Sequence, residues 1–182
     1  AATQGWLHAR QERLVEAQQA LLRAIELDDD HLFARIELSQ ILIDSGRFGE
    51  AESALAAALD LQPENPQLLL ILGDCQLRLD HDAEADTTLA RALATRAIDP
   101  VDIARLYYQH QRPNRAIEYY QRALSRAPRD PLILNNLAWT YAEEGMRLHY
   151  ALELSLQAVK IEADSPVYLD TYAELLHVLG RH

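Results

Sequence analysis

Apolar residues recur along the chain at spacings of three and four, which is the pattern of amphipathic helices rather than of strands. Ala17, Leu21 and Ala24 share one helix face, because positions 0, 4 and 7 of an α-helix lie nearly in line. Similar trios, the last of them degenerate, begin at Ala51, Ala85, Ala116 and Ala151. The five leading alanines stand 34, 34, 31 and 35 residues apart. A phase kept over five copies indicates an internal repeat. We expect Ala17, Ala51, Ala85 and Ala116 to be almost fully buried, because they lie where helices would pack most closely.

A second periodic element, a bulky residue followed by a small one, accompanies the alanine trios. The pairs are Leu38-Ser39, Leu72-Gly73, Ile103-Ala104, Leu137-Ala138 and Tyr172-Ala173. Gly46, Gly145 and Gly180 follow the small positions of their units by seven residues, where a first helix would end. Pro63 and Pro128 follow the leading alanines by twelve residues, where a second helix would stop. Each unit is therefore predicted to contain two helices joined by a turn.

The periodicity predicts eleven helices and no strand. The first helices of the units are predicted at 1–11, 31–44, 66–79, 100–110, 131–144 and 166–179. The second helices are predicted at 13–27, 47–60, 82–95, 113–126 and 148–162. Asp99, Asp130 and Ser165 each precede a proline, which predicts a capping residue followed by a first-turn proline.

The pattern resembles the tetratricopeptide repeat, a helix–turn–helix unit of about 34 residues. The resemblance covers nearly the whole chain and implies an all-α, right-handed α-solenoid of about five and a half repeats, forming a single domain over residues 1–182. The repeats are expected at about 1–29, 31–63, 66–97, 98–128, 131–163 and, in part, 166–182. The chain departs from the pattern at Asp80, which replaces a turn glycine, at the short step before the fourth unit and at one extra residue in the fifth turn. The alternative is a helical bundle without repeats, although a bundle does not require a fixed phase.

The formal net charge is −11 and the pI is about 5.0, which disfavours nucleic acid and anionic membranes as partners. No apolar run reaches the roughly 18 residues that a membrane span needs, so we expect no direct membrane insertion. The chain begins at Ala1 rather than at Met, and we interpret it as a piece of a longer protein. Its compartment stays open: a soluble protein of the cytoplasm or the periplasm.

No pattern of catalytic or metal-binding residues stands out. The seven histidines are scattered without a metal-ligand spacing, and Cys75 is the single cysteine. Asp28, Asp29 and Asp30 lack the alternating spacing of a calcium loop, and we interpret them as a turn between helices. We therefore expect no metal, no cofactor, no disulfide and no enzymatic activity in this chain. A catalytic domain elsewhere in a longer chain stays possible.

The resemblance implies that the first helices line a concave groove. The groove stripe is predicted from positions three and four residues apart beside the small position, and it is rich in apolar residues. Its members are Trp6, Phe33, Ile36, Gln40, Ile43, Leu70, Asp74, Leu77, Arg105, Tyr108, Asn135 and Trp139. We predict that they bind a partner, whereas the alternative is that they pack inside the solenoid.

One subclass of the family, the chaperone adaptors, holds a C-terminal carboxylate with Lys, Asn and Arg. Only Arg105, Asn135 and Asn136 fit that pattern, and the lysines are missing because Lys160 lies in a second helix. We do not expect this chain to belong to that subclass. The stretch from Leu134 to Trp139 is similar to repeats of bacterial proteins in envelope assembly and polysaccharide export, which favours a bacterial source.

Three functions are compatible with these patterns. The first is a scaffold whose groove binds an apolar or amphipathic, neutral-to-basic protein segment. The second is a self-association module that stacks through the ends of the solenoid. The third is a recruiting or regulatory domain of a larger enzyme.

The last predicted helix is apolar around most of its circumference, and helices of that kind are usually buried. Its Tyr172-Ala173 pair marks it as a first helix, so the chain is expected to continue past His182. We expect Leu176 and Leu179 to contact another copy or another chain, giving a possible homo-oligomer through this end.

Overall fold

The computed structural model describes residues 2–180, with side chains described for residues 13–180. Within them the chain forms ten α-helices and no strand, which confirms the predicted all-α solenoid of helix–turn–helix repeats. The helices are α1 (Ala2–Leu27), α2 (Leu32–Asp44), α3 (Phe48–Leu61), α4 (Pro66–Arg78), α5 (Asp82–Ala94), α6 (Pro100–Gln109), α7 (Pro113–Arg126), α8 (Pro131–Glu143), α9 (Leu148–Ile161) and α10 (Pro166–Val178).

The helices are grouped into two compact units. Unit 1 is Ala1–Ala97 and contains α1 to α5, and unit 2 is Ile98–His182 and contains α6 to α10. Inside each unit, every helix packs against the next one along the chain. The single domain over residues 1–182 and its division into six repeats stay predictions.

The small residues that recur in each repeat lie where neighbouring helices pack closely. Ala51, Ala85 and Ala116 are fully buried, as predicted. A methyl group on Gly73 would lie 2.6 Å from Cγ of Leu89, so the backbone of α4 packs directly against this buried side chain of α5. The small residue of the pair therefore sets how near the second helix can come.

The turns inside the repeats keep one backbone conformation even where the sequence departs from glycine. Gly46 and Gly145 have φ values of +72° and +62°, in the left-handed region. Asp80 and Gln111 take the corresponding places with φ values of 58° and 59°. The missing turn glycines thus leave the helix–turn–helix geometry intact, at the cost of some backbone strain at these two residues.

The prediction for the first unit was wrong, because α1 is one continuous helix, Ala2–Leu27, rather than helices at 1–11 and 13–27. Residues 10–16 contain neither glycine nor proline and consist mostly of good helix formers, so nothing local interrupts the helix. The described residues form ten helices in place of eleven. Ala17, predicted to be almost fully buried, is only half-buried, since no first helix folds back against it.

The predicted helix caps are confirmed at two of three places. Asp99 accepts a hydrogen bond from the backbone N–H of Val101, and Asp130 does the same for Leu132, each at 2.9 Å. Ser165 occupies the N-cap position of α10, but its side chain accepts no hydrogen bond from that helix.

Candidate protein-binding site

A pocket of unit 2 lies among α6, α7 and α8. It has a volume of about 250 Å³. The lining side chains are polar or aromatic: Arg105, Tyr108, Gln109, Tyr120, Asn136, Trp139 and Thr140. Three of the predicted groove residues therefore meet here, namely Arg105, Tyr108 and Trp139.

A chain of hydrogen bonds joins α6 to α8 at the wall of the pocket. The indole Nε1 of Trp139 donates to the Tyr108 hydroxyl at 2.8 Å. That hydroxyl in turn donates to Oε2 of Glu143 at 2.5 Å. Burial and the hydrogen bond to Glu143 both raise the pKa of Tyr108. Both rings are half-buried, so each keeps some surface for a partner. Because these bonds already orient the rings, binding a partner costs little additional side-chain entropy.

Tyr120 contributes a neutral phenol to the lining. It occupies the middle position of its alanine trio on α7 and is buried. Burial raises the pKa of Tyr120 to about 12, although Arg105 and a side-chain hydrogen bond with Asn136 act in the opposite direction. The phenol therefore stays un-ionised at neutral pH and brings no charge to the pocket.

Most polar groups of the lining already have partners inside the unit. The Thr140 hydroxyl donates to the backbone carbonyl of Asn136 at 2.7 Å, and the Asn136 side chain bonds to Tyr120. Arg105 and Gln109 are exposed, and among the described residues no carboxylate lies within 4.0 Å of the Arg105 guanidinium. These two side chains are the polar groups that remain available to a ligand.

The predicted groove residues of unit 1 form a more apolar set. The Phe33 side chain is 64% exposed, while Ile36, Ile43 and Leu70 are half-buried. Trp6 lies outside the residues whose side chains the structure describes.

The polar members of the unit 1 set are engaged with neighbours on their own helices. Gln40 donates to Oδ1 of Asp44 at 2.8 Å, and Arg78 donates to Oδ2 of Asp74 at 2.9 Å. The described first-helix residues of unit 1 therefore offer apolar surface and little unpaired charge.

Two predicted groove residues are packed in the interior of their units. Leu77 is 2% exposed and Asn135 is 4% exposed, so neither presents surface to a partner in this structure. Oδ1 of Asn135 has no hydrogen-bond partner among the described residues. Their spacing along the helix predicted a place beside the groove. In the structure, neighbouring helices come close enough to cover both side chains.

Sequence reasoning missed three residues of the pocket: Gln109, Tyr120 and Thr140. Tyr120 left a signal, because the first three trios have leucine at this position and only the fourth has a tyrosine. A hydroxyl at a core position indicates a polar neighbour, and here that neighbour is Asn136. Gln109 and Thr140 carry no comparable signal.

The face of α10 exposes apolar side chains. Val167 is 62% exposed and Val178 is 49% exposed. Leu176 and Leu179, predicted to lie at an end contact, are half-buried. The contact itself stays a prediction.

Among the described side chains, those of residues 13–180, no cluster of three or more His, Cys, Asp and Glu is arranged to hold a metal ion. No helix among these residues is long and apolar enough to cross a membrane. The buried Cys75 has its pKa raised to about 11, mainly by burial, so its thiol stays protonated at neutral pH.

Comparison with known proteins agrees with the repeat pattern. Two tetratricopeptide-repeat family models match residues 42–107 and 101–146. The TPR repeat-containing protein PA4667 of Pseudomonas aeruginosa is 28% identical over 187 residues, covering 96% of this chain and 31% of the relative. A bacterial source, as predicted, fits this relative.

Two further proteins are similar over different lengths. The peroxisomal targeting signal receptor of Candida albicans is 31% identical over 93 residues, covering 51% of this chain and 16% of the receptor. The solved structure of YrrB, described as having an unusual peptide-binding site, shares the fold with a TM-score of 0.58 and 17% identity, covering 91% of this chain and 86% of that one. The chain spans less than a third of the length of either curated relative.

Proposed function

Because the chain belongs to the tetratricopeptide-repeat family of protein-interaction modules, we propose that it is a non-catalytic scaffold whose first-helix faces bind an apolar or amphipathic segment of a partner protein. The observation that carries this proposal is the pocket of unit 2, where Trp139 and Tyr108 are held by hydrogen bonds to each other and to Glu143. A half-buried, oriented tryptophan beside an open cavity is typical of the energetic centre of an interface.

The pocket suits a protein segment better than a small metabolite. Its lining combines ring faces with amide, hydroxyl and guanidinium groups, so an apolar side chain can enter while the partner's backbone stays at the polar rim. The names of two similar proteins are compatible with this proposal: one is a targeting signal receptor and another has a peptide-binding site.

A second candidate function is self-association through α10. It is favoured by the exposure of Val167 and Val178 on the helix that also carries Leu176 and is followed directly by Leu179. Burying such side chains contributes about 25 cal/mol per Å² of apolar area, which favours a contact with a second copy or another chain. Light scattering over a wide concentration range tests this, and a monomer throughout would reject it.

Affinity capture with matched variants tests the binding function. The wild-type chain, Trp139→Ala and the control Leu132→Ala are immobilised, and captured proteins are identified and then titrated by calorimetry. Leu132 is an exposed apolar residue on the same helix but outside the pocket. We expect Trp139→Ala to weaken binding by about 1–3 kcal/mol and Leu132→Ala to leave it nearly unchanged.

Thermal unfolding of each variant separates binding from stability. If Trp139→Ala lowers the melting temperature while its affinity for the captured partner equals that of the wild type, the residue serves packing and the proposal is wrong. Equal losses of affinity in both variants would also contradict a binding site centred on the pocket.

A further inference from the structure

The chemistry of the pocket in unit 2 narrows the class of segment that it accepts. Arg105 lies at the pocket, is exposed and has no carboxylate within 4.0 Å among the described residues. Two other arginines of the same unit do have one, since Glu118 pairs with Arg115 at 3.1 Å and with Arg122 at 2.5 Å. Arg105 is therefore a cation left unpaired beside the cavity.

The remaining donors of the lining cannot substitute for it. The Trp139 indole and the Tyr108 hydroxyl are both used in the chain that ends at Glu143. The Thr140 hydroxyl is bound to a backbone carbonyl, and the Asn136 side chain is bonded to Tyr120. The pocket thus combines two ring faces with one positive charge that is free of an ion pair, while the carboxylate at its wall, Glu143, accepts the hydrogen bond of the Tyr108 hydroxyl.

Resting on the proposed binding function, we propose that this pocket recognises the side-chain carboxylate of an Asp or Glu in the partner segment, close to an apolar or aromatic residue of the same segment. The carboxylate pairs with the Arg105 guanidinium, whose planar fork matches its two oxygens, and Gln109 is the neighbouring amide donor. The apolar side chain enters between Trp139 and Tyr108.

A side-chain carboxylate fits better than the end of a chain. A terminal carboxylate sits at the fixed end of a backbone, and holding its two oxygens firmly there requires several converging free donors. Arg105 is the only cation among the lining residues, and Asn135, which could have added a donor, is buried. One guanidinium at an exposed rim is sufficient for a side chain of a segment that passes over the pocket.

The charge of the chain agrees with this assignment, although the total of −11 had suggested a neutral-to-basic partner. Residues 1–97 contain 17 Asp and Glu against 8 Arg, a formal charge of −9, whereas residues 98–182 contain 11 Asp and Glu against 9 Lys and Arg, a charge of −2. Unit 2 is therefore nearly neutral and presents no strong field against an acidic side chain.

The fluorescence of Trp139 measures directly whether the pocket prefers a segment with a carboxylate to one with an amide. The protein carries Trp6→Phe, so that Trp139 is the single tryptophan, and excitation is chosen to avoid the eight tyrosines. The probes are the blocked peptides acetyl-Phe-Glu-amide and acetyl-Phe-Gly-Glu-amide, each beside its Gln counterpart. Acetyl-phenylalanine and its amide form the arm with a terminal carboxylate. The matched variants are Arg105→Gln and, as the control, Arg115→Gln on α7, which is exposed and outside the pocket.

We expect at least one Glu peptide to bind about tenfold more tightly than its Gln counterpart, as a charge-assisted hydrogen bond to an arginine allows. The ratio of the affinities for the Glu and Gln peptides should fall to about one in Arg105→Gln and should stay near ten in Arg115→Gln. Equal affinities for Glu and Gln peptides in the wild type would overturn the inference, as would a preference confined to free acetyl-phenylalanine. A ratio unchanged in Arg105→Gln would overturn it too.

Absence of any fluorescence response to all the probes also rejects the inference. The binding function itself fails in a different experiment, when Trp139→Ala keeps full affinity for a captured partner. If the pocket binds the Phe peptides equally well with Glu and with Gln, the binding function stands and only the recognition of a carboxylate is rejected.

Discussion

The two units are built from the same repeat but present different first-helix surfaces. In unit 1 most of the described groove positions are apolar, with Phe33 exposed and Ile36 and Leu70 half-buried. In unit 2 the positions filled by Arg105 and Trp139 join a polar pocket. The repeat sets the positions of the first-helix side chains, whereas the residue types at those positions determine what each unit can bind.

The cause of the difference lies partly in the second helices. In unit 1 the middle position of all three trios is a leucine, and two of these, Leu55 and Leu89, are fully buried. In unit 2 the first trio has Tyr120, whose hydroxyl is bonded to Asn136 on a first helix. The Tyr120 hydroxyl thus adds a polar group from a second helix to the lining of the pocket.

The largest expected effect tests the close packing inside unit 1. Gly73→Val places a branched side chain where even a methyl group would lie 2.6 Å from Cγ of Leu89, and we expect a loss of about 3 kcal/mol in the free energy of unfolding. Gly49→Val is the control, because a methyl group on Gly49 would meet nothing within 4 Å. Denaturant unfolding measures both, and equal effects would show that the contact between α4 and α5 does not limit packing.

An intermediate effect is expected from the buried phenol of unit 2 at high pH. The folded-state pKa of Tyr120 is about 12 against an ordinary value of 10.0, so the folded state holds its proton longer than the unfolded state. Stability should be unaffected below pH 10 and should fall between pH 10 and 12, by at most about 1.4 kcal/mol per pH unit.

The control for this pH effect is Tyr120→Phe, which removes the ionisable group. Its unfolding free energy should decline less steeply over the same range than that of the wild type. Identical slopes in denaturant titrations of the two proteins would mean that Tyr120 ionises normally in the fold.

The smallest effects concern turn residues in the left-handed region, one in each unit. Gln111→Gly should raise the free energy of unfolding by about 0.5–1 kcal/mol, because glycine adopts φ near +60° without strain. Asp80→Gly should gain less, since aspartate tolerates this conformation better than glutamine does. Thermal unfolding compares the two, and a destabilised Gln111→Gly would show that its side chain makes contacts worth more than the strain.

The sequence by itself determined the repeat, the positions of nine of the ten helices to within a few residues and the burial of Ala51, Ala85 and Ala116. These features depend on local periodicity and on the requirement for small residues where helices meet. Both can be recognised within short stretches of the sequence. The sequence also indicated that Arg105, Tyr108 and Trp139 lie on related helix faces.

Only the tertiary structure decided which of the predicted groove residues reach a surface. Leu77 and Asn135 have the right spacing but are covered, while Tyr120, on a second helix, enters the pocket. Spacing fixes the direction of a side chain around its own helix, whereas exposure depends on how near the neighbouring helices come. That distance is set by side chains such as Leu89 that are remote in sequence, and a single helix pattern does not contain it.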